Sequence, residues 1–370
     1  MAKGNGEARR ESSARGGIAR AARVVVKIGS SSLASAGAIE RLASSIAALR
    51  QDKKSVVLVS SGAISLGYKK LGYKTRPTEV AKLQAAAAAG QSLLMRTYEE
   101  AFGAHSLSVA QVLLTHSDVS ERARANNARA ALDEILAAGA IPILNENDSV
   151  AVEEIKFGDN DQLAAMVTPL VDGELLILLS DVEGVLDHGG ARVPEVRDVE
   201  EIRPFLRKSK SNVGTGGMDS KIEAARRAAL AGAHVVIGDA RVPGLVEDIA
   251  RGADVGTHFL PAAERMSARK YWIAFTLRPR GDVILDAGAV AAVQGKKKSV
   301  LGVGVLGIRG DFRTGDAVRL LDGAANEIGR GLSGMSSVDA ARMAGRPLDE
   351  DDKEKGVLVH RDELVVWPAR

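Results

Sequence analysis

The sequence predicts an α/β fold, a three-layer α/β/α sandwich of the kind built on a covered sheet, followed by a small β-rich barrel. Three observations carry that expectation. Short apolar runs without polar alternation recur from Val24 onward, as strands buried on both faces require. Segments with apolar residues at helical spacing separate those runs. Beyond a stretch of Gly, Pro and charge near Ala253 to Lys270, the helical segments give way to short strands closely punctuated by turns.

Taken in order, Val24 to Ile28 is a β-branched run, Ile39 to Leu49 has helical periodicity, and Ser55 to Val59 is a second continuous apolar run. An alanine-rich helix is predicted from Glu79 to Phe102, then a strand near Leu107 to Leu114, a helix near Ala123 to Ala138 and the strand Ile141 to Leu144. A helix near Gln162 to Val171, the strand Leu175 to Leu179, a glycine-rich loop, the helix Ser220 to Ala231 and the strand His234 to Ile237 complete this part. In such a sheet ligands sit at the carboxyl ends of the strands. Three segments are expected: a disordered leader over residues 1–22, an α/β domain over 23–268 and the β-rich domain over 273–370. The chain of 370 residues is long enough for two cores.

Composition narrows the function classes. With 45% hydrophobic and 26% charged residues the chain reads as soluble and globular. No apolar run reaches the roughly 18 residues of a membrane span, and the start lacks a secretory core, so a cytoplasmic location and no membrane partner are expected. The absence of cysteine removes disulfides, thiolate metal sites and cysteine nucleophiles. The six histidines have no zinc-binding spacing, and no residue is assigned as a metal ligand. Met1 to Arg23 carry six basic and two acidic residues in a Gly, Ser and Ala background, which is the composition of a disordered tail. Glu7 and Glu11 argue against the alternative of an organellar transit peptide.

The chemistry concentrates at predicted strand ends. Asn145 to Asp161, NENDSVAVEEIKFGDND, gathers carboxylates and carboxamides where the strand Ile141 to Leu144 finishes; these can hold an ammonium group, orient a carboxylate or carry a hydrated cation. A solvated acidic hairpin is the plainer alternative. Lys27-Ile28-Gly29-Ser30-Ser31 and Ser60-Ser61-Gly62-Ala63-Ile64 close the first two strands, each with a glycine that lets backbone approach a ligand. Gly214-Thr215-Gly216-Gly217-Met218-Asp219-Ser220-Lys221 is the strongest phosphate signal: three glycines open a helix whose N–H groups and dipole attract an anion, and Lys221 adds a full charge. Two glycine patterns are set aside. Gly302 to Gly307 spells a dinucleotide fingerprint without a following helix, and Gly67 to Thr75 lacks the lysine of a phosphate-binding P-loop.

Together VVVKIGSSSL, VVLVSSGAISLG, IPILNENDSVAVEEIKFGDNDQLAA, LLILLSDVEGV and GTGGMDSK resemble the glutamate 5-kinase family of the amino acid kinase superfamily, in order from about Val24 to Arg251. The tail from about Ile273 resembles a PUA domain, most closely at GDFRTGDAVRLLDGAANEIGRGL. The resemblance implies transfer of the γ-phosphoryl group of ATP, with Mg²⁺, to the side-chain carboxylate of L-glutamate, the opening step of proline biosynthesis. It implies substrate binding by Ser61, Asp148 and Asn160, with Asp148 pairing the ammonium and Ser61 and Asn160 donating to carboxylates. Nucleotide binding falls on Lys27, Ser180, Asp181 and Thr215, Gly216, Gly217, Met218, Asp219, Ser220 and Lys221. Lys27 and Lys221 would stabilise the transferring phosphoryl group, and Asp161 would orient them or the metal. Ser180 and Ser220 stand where the family often has threonine, which keeps the hydroxyl. Inhibition by proline, a homo-oligomer and hand-over to a glutamyl phosphate reductase are further implications.

Competing readings are another carboxylate or phosphate kinase of the superfamily, an amino-acid sensor without catalysis, and an RNA-binding protein. From Pro279 to Arg370 there are 14 basic and 14 acidic residues, so the tail has no net charge to hold a phosphate backbone, and no strong nucleic-acid binding is expected. The Lys296-Lys297-Lys298 run reads as a solvated turn.

Overall fold

The computed structural model describes residues 15–151, 160–205, 217–296, 298–346 and 356–367. They divide into two compact units, Met1–Arg265 and Met266–Arg370. The first is built on an eight-stranded sheet. In chain order its main elements are β1 (Arg23–Ile28), α1 (Ala38–Gln51), β2 (Ser55–Ser60), α2 (Ala63–Lys70), α3 (Val80–Gly103), β3 (Val109–Leu114), α4 (Arg122–Ala137), β4 (Ile141–Glu146), α5 (Asn160–Leu170), β5 (Leu175–Ser180), β6 (Glu195–Val196), α6 (Met218–Leu230), β7 (His234–Asp239), α7 (Leu245–Ala250) and β8 (Thr257–Phe259). The strand order is β3-β4-β2-β1-β5-β7-β8-β6, and every pairing is parallel except β7 with β8.

The period-2 alternation of side chains decides which layer each strand residue serves. Val24, Val26, Ile28, Val56 and Leu58 pack with α1, α3 and α7 on one face. Val25, Val57, Val59, Leu176 and Leu178 pack with α4, α5 and α6 on the other. Lys27 therefore follows Val25 onto the face of α5 and α6, while Ser60 follows Leu58 toward α3. Full burial of β5 on both faces explains its unbroken LLILLS run.

Two glycines let α2 and α3 approach backbone to backbone. A Cβ on Gly67 would lie 1.7 Å from the Ala86 carbonyl oxygen, and one on Gly90 would lie 1.8 Å from that of Ala63. Gly62, at φ +110°, makes the turn from β2 into α2. The AISLGYKK segment is only 8 residues long, too short for its helical spacing to be recognised from sequence.

The disordered leader expected over residues 1–22 is corrected for its last third. Residues 15–20 are helical, and Ile18 is fully buried against the α1, α3 and α7 layer. Arg15 donates to the carbonyl oxygens of Ala253 and Val255 and pairs with Asp254, while Lys54 Nζ donates to the Ala19 and Ala21 carbonyls. One isoleucine among Gly, Ala and Arg was too weak a pattern to reveal this. Residues 1–14 lie outside the described residues.

The second unit is a six-stranded mixed sheet, in the order β10-β14-β13-β12-β9-β11, formed by β9 (Gly281–Leu285), β10 (Val300–Leu301), β11 (Val305–Gly310), β12 (Ala317–Leu321), β13 (Glu327–Ser333) and β14 (Val357–Val366). It curls around Val283, Leu285, Phe312, Val318, Leu320 and Val359. Helical segments, among them α8 (Ala287–Lys296) and α9 (Ser337–Met343), add to the β-rich unit expected from sequence. Gly302 to Gly304 form a short 3₁₀ turn and β11 follows, so the local glycine pattern opens no helix.

Candidate active site

The candidate site lies along the carboxyl ends of β4, β2, β1, β5 and β7. These ends are level: Ile28 is in register with Ser60 and with Leu179, and Ser180 with Asp239. From β1 the chain builds β2, β3 and β4 on one side before returning to β5 on the other, which makes the β1/β5 boundary a topological switch point.

At that boundary Lys27 from β1, Asp161 from the first turn of α5 and Lys221 from the first turn of α6 converge. Lys27 Nζ pairs with one Asp161 oxygen, and Lys221 Nζ lies 3.1 Å from the other. The carboxylate is fully buried, and the lysines are 4% and 7% exposed. Burial pushes the Asp161 carboxyl up, but the Lys27 and Lys221 charges and their hydrogen bonds outweigh it and hold the group below the usual carboxylate range. The cluster therefore carries a net positive charge in a nearly dry place, which suits an anion that brings its own negative charge.

On the β2 and β4 side stands a chain of carboxamides. Asn160 Nδ2 donates to the Ser60 carbonyl oxygen at 2.9 Å, Ser61 Oγ at 2.8 Å and Asn145 Oδ1 at 3.0 Å. Asn145 Nδ2 in turn donates to Gln91 Oε1 at 2.9 Å, and Gln91 Nε2 to Gln111 Oε1 at 3.2 Å. Ser60 Oγ lies 2.7 Å from the hydroxyl of Tyr98, which is fully buried in α3. Because Ser61 Oγ accepts from Asn160, its own O–H remains able to donate outward. The Asn160 amide nitrogen is shared among three protein acceptors.

Asp148 sits just beyond β4 and is half-buried. Burial raises its pKa to about 6, against the attraction of Arg76. On the other side of the switch point, Ser180 and Asp181 end β5, with Ser180 Oγ 3.3 Å from Asp181 Oδ1. Arg241 is held by both oxygens of Asp239 and donates to the Asp181 carbonyl oxygen at 2.7 Å. Gly217, in extended conformation, begins α6, and no side chain caps this end among the described residues. The first-turn N–H groups of Met218, Asp219 and Ser220 thus belong to an uncapped helix terminus beside Lys221. Gln162 Nε2 ties α5 to this turn through the Ser220 carbonyl at 3.2 Å.

Of the residues singled out in sequence, Lys27, Asp161 and Lys221 meet directly, as do Ser61 and Asn160; Asp148, Ser180, Asp181, Gly217, Met218, Asp219 and Ser220 lie on elements that end along the same edge. Thr215 and Gly216, with Gly214 and residues 152–159, lie outside the described residues. Sequence reasoning passed over Gln91, Tyr98, Gln111, Gln162 and Arg241. Gln91 left a signal: it interrupts the buried stripe Leu83, Ala87, Leu94 and Tyr98 of α3, where a polar residue needs a partner.

Residues 22–239 match the Amino acid kinase family, and residues 281–352 match the PUA domain. The α/β unit thereby defines the class as an amino acid kinase. Among curated relatives, a glutamate 5-kinase of Myxococcus xanthus is 45% identical over 96% of this chain and 99% of its own. Those of Ralstonia pickettii and Streptomyces coelicolor are each 44% identical, over 94% and 95% of this chain and 98% of theirs. The chain belongs to the glutamate 5-kinase family.

The buried cluster makes a stability prediction. Asp161→Asn leaves two buried ammonium groups without a counter-charge, and unfolding by urea at pH 7 should show a loss of about 3–5 kcal/mol. Since the folded carboxyl titrates below its ordinary value near 4, the stabilisation it contributes is present at neutral pH and is lost as the pH falls through the depressed value. An Asp161→Asn protein as stable as the parent would contradict this.

Proposed function

We propose that the protein transfers the γ-phosphoryl group of ATP to the side-chain carboxylate of L-glutamate, giving L-glutamyl 5-phosphate and ADP as the first step of proline biosynthesis. The observation that carries this is the Lys27–Asp161–Lys221 cluster, one residue along α5 from the Asn160 that holds Ser61. Consecutive residues of one helix thus serve the phosphate side and the acceptor side.

The chain's residues divide the work as follows. Asp148 pairs the substrate ammonium, and Ser61 Oγ donates to a substrate carboxylate. Ser180, Asp181 and the loop from Thr215 through Gly216, Gly217, Met218, Asp219 and Ser220 hold the nucleotide, with the α6 N–H groups facing its phosphates. Lys27 and Lys221, fixed in place by Asp161, stabilise the negative charge on the transferring phosphoryl group. The acceptor carboxylate is ionised at neutral pH, so no general base is required. Both Asp161 oxygens are engaged by lysines, and no group of three or more His, Asp or Glu side chains forms a metal cage among the described residues. Mg²⁺ would then be held chiefly by the nucleotide and water, and would supply neutralisation of phosphate charge.

Proline, as the product of the pathway, is proposed to inhibit at or over the glutamate site. A cytoplasmic homo-oligomer is proposed, with delivery of the unstable acyl phosphate to a glutamyl phosphate reductase and no strong nucleic-acid binding by the PUA domain. Among the described residues no helix is long and apolar enough to cross a membrane.

ADP release with Mg·ATP and L-glutamate, with the product trapped as a hydroxamate, tests the reaction beside N-acetylglutamate, aspartate and a no-acceptor control. Turnover with glutamate alone is expected, and Lys221→Ala should lower kcat by about 10²–10³. Activity with another acceptor and none with glutamate would overturn the substrate assignment. The same assay reads Asp148: its carboxylate is charged above about pH 6, so KM for glutamate should be flat above that pH and rise as the pH falls below it. A KM independent of pH between 5 and 7 would remove Asp148 as the ammonium partner.

A further inference from the structure

A buried pair of imidazoles, which the proposed chemistry does not use, lies at the end of the sheet away from the candidate site. His234 begins β7, and His258 is the middle residue of β8. Both side chains share a face with Val236: His234 by the period of two along β7, His258 because it is the antiparallel partner of Val236. This is the face on which Ile18 packs. His234 Nδ1 lies 3.0 Å from His258 Nε2, and His258 is fully buried. The helical turn of residues 15–20 rests on the pair. A Cβ on Gly17 would come within 2.4 Å of His234 Nε2, so only glycine lets the turn approach that ring so closely.

The pair has four ring nitrogens. With both rings neutral they carry two protons, one in the shared hydrogen bond and one on an outer nitrogen. A third proton makes donors of both outer nitrogens. His258 Nδ1 is buried with no acceptor among the described residues, and His234 Nε2 faces Gly17. The surrounding charges also oppose uptake: Arg15 acts on His258 and Arg20 on His234, both from the covering turn. Glu174, just before β5, favours uptake, but its carboxylate already accepts from the Ala22 and Arg23 N–H groups; Asp254 is paired with Arg15. Burial foremost, and then these cations, hold both imidazoles below their ordinary range, His258 at about 3.

We propose that residues 15–22 form a latch closed over the neutral His234–His258 pair, and that proton uptake by the pair releases it. The turn is held by few contacts beyond the pair: Arg15 on residues 253–255, Lys54 on the Ala19 and Ala21 carbonyls, and the seat of Ile18. Such a segment opens without unfolding the sheet beneath it. The device lies at the opposite end of β7 from the phosphate side and stands whether or not the kinase reading holds. Freed imidazoles titrate near 6.5 and the covered ones lower, so between those values the closed state binds fewer protons than the open one. Closure is therefore fully stable above about pH 6.5 and weakens as the pH falls toward 3. For His258 alone, the fall from pH 7 to pH 5 multiplies the opening constant by about 25.

The test is amide hydrogen exchange on the full chain, followed by mass spectrometry at pH 7, 6 and 5 and corrected for the intrinsic pH dependence of exchange. Amides of residues 15–22 should be protected at pH 7 and should open about 25-fold more at pH 5. Amides of β5 should remain at least about a hundredfold slower than these at every pH, which makes the opening local. The double variant His234→Asn with His258→Gln places amides where Nδ1 and Nε2 stood, keeps one hydrogen bond and removes the titration. Its opening constant for residues 15–22 should change less than about threefold over the same range. His258→Gln alone removes the ring held at about 3 and decides the matter if the double variant does not fold. A parent segment unprotected at pH 7 would overturn the proposal, as would one whose opening changes less than about threefold or exchanges in step with β5. So would a variant that keeps the pH dependence of the parent.

Discussion

One carboxylate shared by two lysines is the constraint on which the rest of the α/β unit depends. Bringing Lys27 and Lys221 together without Asp161 would place like charges in a nearly dry cluster, which costs several kcal/mol per ion. With Asp161 between them the cluster keeps one excess positive charge and a fixed geometry before any ligand arrives. That demand reaches far along the chain. Lys27 must be the second-last residue of a central strand on the α5 and α6 face, Asp161 must open α5 and Lys221 must open α6, and the three elements must pack at one end of the sheet.

The sheet order turns this cluster into a divider. β2 and β4 present Ser61 and Asn145 on one side, and β5 and β7 present Ser180 and Asp239 on the other, with β1 between. Asn160 and Asp161, consecutive on α5, look to different sides: the first to β2 and β4, the second to the lysines. An acceptor and a donor of a phosphoryl group are thereby kept apart until they meet over the strand that carries Lys27. Positioning of this kind supplies most of what phosphoryl transfer needs from a protein.

Much of this was legible in the sequence because the sheet is parallel and covered. VVVKI, SVVLVS and LLILLS could be read as buried strands without knowing their neighbours, and a ligand edge follows from that class of sheet. Lys221 stood out because it opens a helix directly after a glycine-rich loop, where a phosphate would lie; Lys27, a weak signal by itself, was singled out by the family resemblance. What stayed hidden depends on contacts between distant segments. Gln91 and Tyr98 belong to the α3 stripe, and only the return of β4 and β2 beneath that helix gives them Asn145 and Ser60 as partners. Ile18 is a single apolar residue, so its seat beneath the sheet could not be inferred from periodicity. The partners of Asn160 stayed hidden for the same reason: an amide's orientation is decided by its neighbours, here the Ser60 carbonyl and Asn145.

The most direct test of a single clamp is a double-mutant cycle on kcat with Lys27→Met, Lys221→Met and the double variant, all at saturating Mg·ATP and glutamate. If Asp161 makes the two lysines one device, either substitution alone releases the carboxylate from its balance, and the double variant should be no slower than about threefold below the worse single one. Losses that multiply in full would show that the lysines act independently, and would contradict a clamp organised by their shared carboxylate.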